Sequence, residues 1–206
     1  MKRYVVPVAE KYLIFTRRGI AIDDYPAIKN YLAQFREQLE PRLKDWDRLK
    51  KWAGRKPGPY AWYEIQDSVN YYEKFEEPKI MFPDISLEMN ATLSSKNEYG
   101  VNTLYVIPTN DLALLGYLNS KLFTWIYGLT STAIRGGYLR FIRQYIEIMS
   151  VPSGLKDHPK LTDLVSQILA LKEAGADTSA LEGEVDGVVF GLYGLSDSEI
   201  NLIGGS

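Results

Sequence analysis

Residues 134–152, IRGGYLRFIRQYIEIMSVP, gather the side chains of this chain that are best suited to gripping a polyanion. Arg135, Arg140 and Arg143 fall within ten residues, with no acid before Glu147. Arginine carries a planar fork of donors that matches phosphate oxygens and the O6/N7 edge of guanine. Gly136 and Gly137 sit beside the first arginine, where glycine accepts positive φ and lets a backbone come close to another surface. Tyr138 adds a ring that can stack and a hydroxyl that can bond a phosphate. From Tyr138 onward the side chains alternate, with Tyr138, Arg140, Ile142, Gln144 and Ile146 on one face and Leu139, Phe141, Arg143, Tyr145 and Glu147 on the other. That period predicts a strand or a β-ribbon edge. The plainer alternative is a loop and strand whose arginines are only solvated.

A second basic region runs from Arg36 to Lys56. It holds Arg36, Arg42, Lys44, Arg48, Lys50, Lys51, Arg55 and Lys56 against Glu37, Glu40, Asp45 and Asp47, with Trp46 and Trp52 interleaved. A basic helix leading into Gly54-Arg55-Lys56-Pro57-Gly58-Pro59 would lie along a phosphate backbone, with Arg48, Lys51, Arg55 and Lys56 as contacts. A solvated helix face is the competing reading. Lys96, in the loop that follows Asn90, is a further candidate contact.

Catalytic constellations are harder to find. Pro83-Asp84 with Glu88 is reminiscent of nucleases in which two carboxylates hold Mg²⁺ and a lysine assists a water. The position where that lysine belongs is Asn90, so the pattern breaks. A methyltransferase would need a glycine-rich cofactor turn and an Asn/Asp-Pro-Pro-aromatic motif, and neither occurs. Phosphate-binding Gly-Lys-Ser/Thr loops and Gly-x-Ser-x-Gly elbows are missing as well. With no cysteine and one histidine, thiolate and multi-histidine metal centres are excluded. His158 precedes a proline and reads as loop or helix entry.

The elements that must position these residues follow from periodicity. Lys11 to Phe15 reads as a short strand and Arg17-Arg18-Gly19 as a turn. Asp23-Asp24-Tyr25-Pro26 starts a helix, and Ile28, Tyr31, Leu32, Phe35 and Leu39 mark its apolar face. Its helical character is expected to resume after Pro41, giving a basic helix over 24–52. Lys79 to Phe82 and Asn102 to Ile107 predict buried strands. Asp111 caps one long core helix with the stripe Leu115, Leu118, Leu122, Trp125. A strand is expected to end at Ile148 to Pro152. Two helices follow, on Leu161, Leu164, Val165, Ile168 and Leu171, then on Leu181, Val185, Val188, Val189 and Leu192. Ser196-Asp197-Ser198-Glu199 is a capping box for a third. The fold class expected is α+β, with a recognition domain over 1–152 and a helical hairpin arm over 153–206 acting as spacer or docking element.

The 206 residues are 46% apolar, enough for a core. No run approaches a membrane span, and the absence of cysteine suits a cytoplasmic protein. Net charge is −2, but residues from Glu173 onward hold seven acids and no Lys or Arg. Residues 1–172 carry 24 basic and 19 acidic residues, so the body is basic and the tail acidic.

The run Asp111 to Pro152 resembles the C-terminal specificity region of type IIG restriction–modification enzymes and related adenine-specific DNA methyltransferases. The matching pieces are DLALLGYLNSKLFTWIY, then Ser131-Thr132-Ala133-Ile134-Arg135-Gly136-Gly137-Tyr138-Leu139-Arg140-Phe141, then QYIEIMSVP. KYLIF, DDYPAIKNYLAQFREQLEPR, WYEI, PKIMFPDIS, NTLYVIP and VDGVVFGLYGLSDSEINLI fall in the family's order around them. The resemblance implies a non-catalytic target recognition domain that binds double-stranded DNA. It implies a catalytic methyltransferase domain in the same parent chain that uses S-adenosylmethionine to methylate adenine N6, with Mg²⁺ where an endonuclease is fused. Arg135, Arg140, Arg143 and Lys96 would then contact phosphates or base edges, and Gly136 and Gly137 would let the backbone approach the duplex. Two alternatives stay open: a module that docks a methyltransferase or translocase subunit through its helical arm, and a divergent nuclease centred on Asp84 and Glu88.

Overall fold

The structure, a computed structural model, describes residues 2–6, 11–47, 49–95, 97–100, 103–131, 133–134 and 136–204. The chain divides into two compact units, Ala9–Tyr72 and Met1–Val8 with Glu73–Ser206.

The smaller unit is mostly turns. Its helices are α1 (Pro26–Ala33) and the single turn α2 (Arg36–Leu39). Pro26 occupies the first helical position, where its missing N–H costs nothing. The residue before it is Tyr25, and neither Asp23 nor Asp24 bonds the helix end: they form a short 3-10 turn instead. The helix does not resume after Pro41, so the basic helix expected over 24–52 is not formed. In its place Arg42 N–H bonds Arg55 O and Arg55 N–H bonds Glu40 O, which ties two extended segments together. Lys11 to Phe15 forms no strand, and Tyr12, Leu13 and Ile14 are exposed. The turn at Arg17 to Gly19 forms as expected, with Gly19 at φ 78° and Ile20 N–H on Arg17 O.

The larger unit is a mixed α+β layer. Strands β1 (Lys79–Pro83), β3 (Thr92–Ser94) and β4 (Leu104–Ile107) form an antiparallel sheet in the order β3-β1-β4. The short β2 (Ile85–Ser86) pairs instead with β5 (Leu139–Arg140). β1 is central and buried on both faces. Ile80 and Phe82 join the main core, while Lys79 on the other face gives its ammonium to the carbonyls of Phe75, Ser95 and Glu77. Those bonds are what let a fully buried lysine stand there.

Helices α3 (Leu112–Leu118) and α4 (Lys121–Thr130) replace the single long helix expected. The break has a clear cause. The Asn119 amide leaves the helix to bond both Ala91 N–H and Ala91 O, acting as a missing strand neighbour. Ser120 then caps α4 by accepting from Phe123 N–H. Beyond β5, the one-turn α5 (Arg143–Ile146) ends the expected strand after two residues. The strand expected at Ile148 to Pro152 is also absent.

The C-terminal helices α6 (Pro159–Glu173), α7 (Ser179–Tyr193) and α8 (Asp197–Gly204) do form the predicted hairpin and capping box. His158 caps α6 through its Nδ1, as its place before Pro159 suggests. The hairpin is no projecting arm, however, and the boundary expected at 152 does not separate it. Leu161, Val165, Ile168, Val185 and Val189 are buried in the same core as Ile80, Leu115 and Tyr127. Gly116 makes this possible, since α3 crosses close enough to α6 that a Cβ there would stand 2.8 Å from Val165 Cγ2. Among the described residues, no helix is long and apolar enough to cross a membrane.

Candidate nucleic-acid interface

The glycine pair does build a hairpin. Ile134 N–H bonds Tyr138 O at 2.7 Å, Gly137 N–H bonds Ile134 O at 3.1 Å, and the two residues form an antiparallel bridge. Gly136 and Gly137 sit at φ 91° and 80°, a region that strains any other residue. Arg135, Lys96 and Arg48 lie outside the described residues.

The hairpin leads directly into β5. There the predicted alternation holds for three residues, with Tyr138 and Arg140 exposed and Leu139 buried between them. Ile85 stands opposite Arg140, and Ser86 opposite Leu139. The base of β5 is held from inside by Tyr127, which is fully buried. Its hydroxyl donates to Arg140 O at 2.6 Å and accepts from Ile142 N–H at 3.1 Å. Burial raises the pKa of that phenol, so it stays neutral and able to donate. Tyr127 carries no sequence signal beyond its place in a helical stripe, and its part in holding β5 escapes sequence reasoning.

Two of the three arginines can be followed. Arg140 donates Nε–H to Asp84 Oδ1 at 3.3 Å, and Arg143 donates Nε–H to Glu147 Oε1 at 2.6 Å. Both side chains nevertheless remain largely in solvent, at 59% and 79% exposure. They are paired to the protein's own carboxylates without being drawn into it. Beside Tyr138 an open cleft of about 960 Å³ is lined by Leu87, Glu88, Lys121, Trp125 and Leu129. Lys121 and Trp125 come from the first two turns of α4, whose N-terminus is tied to α7 by Lys121 N–H on Asp186 Oδ1. Burial raises the Asp186 carboxyl pKa, while the bond from Lys121 N–H and the Lys121 charge act against the rise.

The second basic region is a different matter. Arg55 gives every nitrogen of its guanidinium to its own unit. Nε donates to Leu39 O, Nη1 to Glu64 O, and Nη2 to Trp62 O and Ala61 O, with the group 4.7 Å from the Tyr60 ring. Arg55, expected as a DNA contact, stands here as the donor hub of the turns that form in place of the predicted helix. Lys56 pairs with Asp67 at the surface, and Lys51 is exposed.

The two carboxylates of the nuclease alternative are each held by a different arginine, Asp84 by Arg140 and Glu88 by Arg3. Among the described residues no group of three or more His, Asp or Glu side chains is placed to share a metal ion. The hairpin with β5 presents Tyr138 and the Arg140 side chain to the outside.

Comparison with known proteins points the same way. Residues 1–151 match the model of the TaqI-like C-terminal specificity domain. Over 203 residues the chain is 28% identical to the type II methyltransferase M.PaeR7I of Pseudomonas aeruginosa, covering 93% of this chain and 31% of that protein. It is 28% identical to M.XhoI of Xanthomonas vasicola over 92% of this chain and 32% of the relative. M.BstVI of Geobacillus stearothermophilus is likewise 28% identical, over 89% of this chain and 30% of its own length. The chain spans about a third of the length of these curated relatives, which are named type II methyltransferases. With the family model covering almost three quarters of its residues, the chain belongs to the TaqI-like C-terminal specificity domain family.

Proposed function

We propose that this chain recognises the DNA sequence at which a catalytic methyltransferase part of the same parent chain acts on adenine N6. S-adenosylmethionine is the methyl donor of that part, and Mg²⁺ is used where an endonuclease accompanies it. The chain itself supplies recognition and no catalysis. One observation carries the reading: in a member of a specificity-domain family, the Gly136–Gly137 hairpin and β5 present Tyr138 and Arg140 to solvent on a backbone fixed from within, and α5 presents Arg143 just beyond them. Exposed arginines on a rigid ribbon suit a duplex, where phosphate contacts set register and base contacts set sequence.

The test is fluorescence anisotropy of the 206-residue protein with a labelled duplex across a salt series. Log affinity should fall linearly with log salt, and Arg143→Ala should reduce the slope by about one unit. Binding that is absent, or indifferent both to salt and to loss of Arg143, contradicts the proposal.

The smaller unit supports a complementary role as the docking face for the catalytic part. The stripe Ile28, Tyr31, Leu32, Phe35, Leu39 has helical spacing, yet α1 and α2 contain no buried residue. Tyr31 and Phe35 are exposed with their rings in edge contact. With Tyr31 and Phe35 exposed and Ile28, Leu32 and Leu39 half-buried, the stripe offers an apolar surface to a partner. Tyr31→Asp with Phe35→Asp should abolish co-elution with the catalytic part and leave the melting temperature of the 206-residue protein unchanged.

A further inference from the structure

We infer that Arg140 reads a guanine through its two terminal nitrogens, and that Asp84 is the positioning residue that aims it. The inference deepens the DNA-reading function proposed above and rests on it.

Arg140 differs from Arg143 in how firmly it is held. Its backbone is fixed by Tyr127 from inside the globule and by Ile85 across the strand pair. The carboxylate that receives its Nε–H is fixed too. Asp84 N–H bonds Thr103 O at 2.8 Å, Asp84 O accepts Phe141 N–H at 2.7 Å, and its side chain is only 18% exposed. Arg143 stands on a one-turn helix, and its partner Glu147 is 55% exposed on the same surface. An exposed pair four residues apart holds its members loosely.

Anchoring through Nε has a geometric consequence. It leaves Nη1 and Nη2 free of any hydrogen bond to a described residue. Two donors in a fixed plane match a base edge that offers two acceptors. Guanine offers O6 and N7 in the major groove, whereas adenine offers one acceptor and one donor. Electrostatics favour the same choice. The Asp84 carboxylate, 3.3 Å from Nε, offsets much of the guanidinium charge. A neutralised pair is a poor phosphate anchor, since phosphate affinity comes from net charge and counterion release. It remains a good directional donor to an uncharged edge. Holding the fork in advance also lowers the ordering cost on binding.

The test is selection of bound duplexes from a library with a randomised centre, at fixed salt, followed by sequencing. It uses the 206-residue protein and its Arg140→Ala, Arg140→Lys and Asp84→Asn variants. The wild type should enrich a motif containing at least one guanine. Arg140→Ala and Arg140→Lys should both flatten the preference at that one position by about tenfold or more, the scale of a bidentate contact. Asp84→Asn should weaken preference at the same position, leave preference at the other positions and the melting temperature unchanged, and steepen the salt slope by up to about one unit as the guanidinium charge is freed. Arg140→Ala lowering binding to every sequence alike, with the motif intact, would overturn the inference and leave the DNA-reading function standing. Asp84→Asn leaving the guanine preference whole, or blurring every position equally, would also overturn it. A wild type that enriches no motif would defeat both.

Discussion

Arg55 and Arg140 have the same side chain and opposite fates, decided by their partners. Arg55→Ala should leave three carbonyl oxygens, those of Leu39, Trp62 and Glu64, without the donor they have now, and destabilise the protein by on the order of 3 kcal/mol, measurable by urea unfolding. Arg140→Ala removes an exposed pair and should change stability by less than about 1 kcal/mol while weakening DNA binding. Buried phenols set a pH limit. Burial raises the pKa of Tyr4, with the Glu182 charge adding to the rise, and burial with the neighbouring Tyr193 hydroxyl raises that of Tyr117. On unfolding both return to about 10, so the folded state holds these protons more tightly. Their stabilisation is therefore complete below pH 10 and is lost as pH rises above it, at about 1.4 kcal/mol per pH unit for each phenol. Lys79 acts in the opposite sense: burial lowers its pKa below the ordinary 10.5, so rising pH relieves the cost of the buried charge. The urea midpoint should fall above pH 10, and Tyr117→Phe should make that fall shallower. A midpoint flat to pH 11 would contradict this.

Glycines expose how the elements are joined. Gly116→Ala would place a methyl 2.8 Å from Val165 Cγ2, between α3 and α6, and should cost roughly 1–3 kcal/mol. Gly187→Ala on α7 meets nothing within 4 Å and should stabilise by about 0.5–1 kcal/mol, because helical glycine is entropically costly. Thermal melting followed by circular dichroism distinguishes the two signs. Elements with local causes were legible in the sequence: β1 from its apolar run, the α6 entry from His158-Pro159, α8 from its capping box, and the chain reversal from Gly136-Gly137. Elements decided by distant partners were not. Nothing local to Asn119 announces that its amide will leave a continuous apolar stripe to bond Ala91, twenty-eight residues away. The alternation after Leu139 reads as strand, yet Ile142 is drawn to the Tyr127 hydroxyl and the chain turns into α5. Of the candidate site, the arginines and glycines could be found by residue type. The part of Asp84 could not, because it depends on β2 pairing with a segment more than fifty residues later.

Across the whole molecule, charge and exposure are distributed unevenly. The basic excess belongs to residues 1–172, and the seven acids that offset it lie on or beside α6, α7 and α8. Their apolar faces close the core of the larger unit, and their acids give that end of the chain no attraction for a polyanion. Tyr138 and Arg140 stand exposed on the hairpin and β5, and the central claim is that this ribbon meets DNA. Hydrogen exchange of the 206-residue protein, with and without duplex DNA, tests it most directly. The account predicts that duplex slows exchange at Gly136 to Phe141 and at Ile85 to Leu87, and leaves the α6–α7 hairpin unchanged. Protection confined to residues 42–56 or to α6 and α7, with the hairpin exchanging as fast as in free protein, would contradict it.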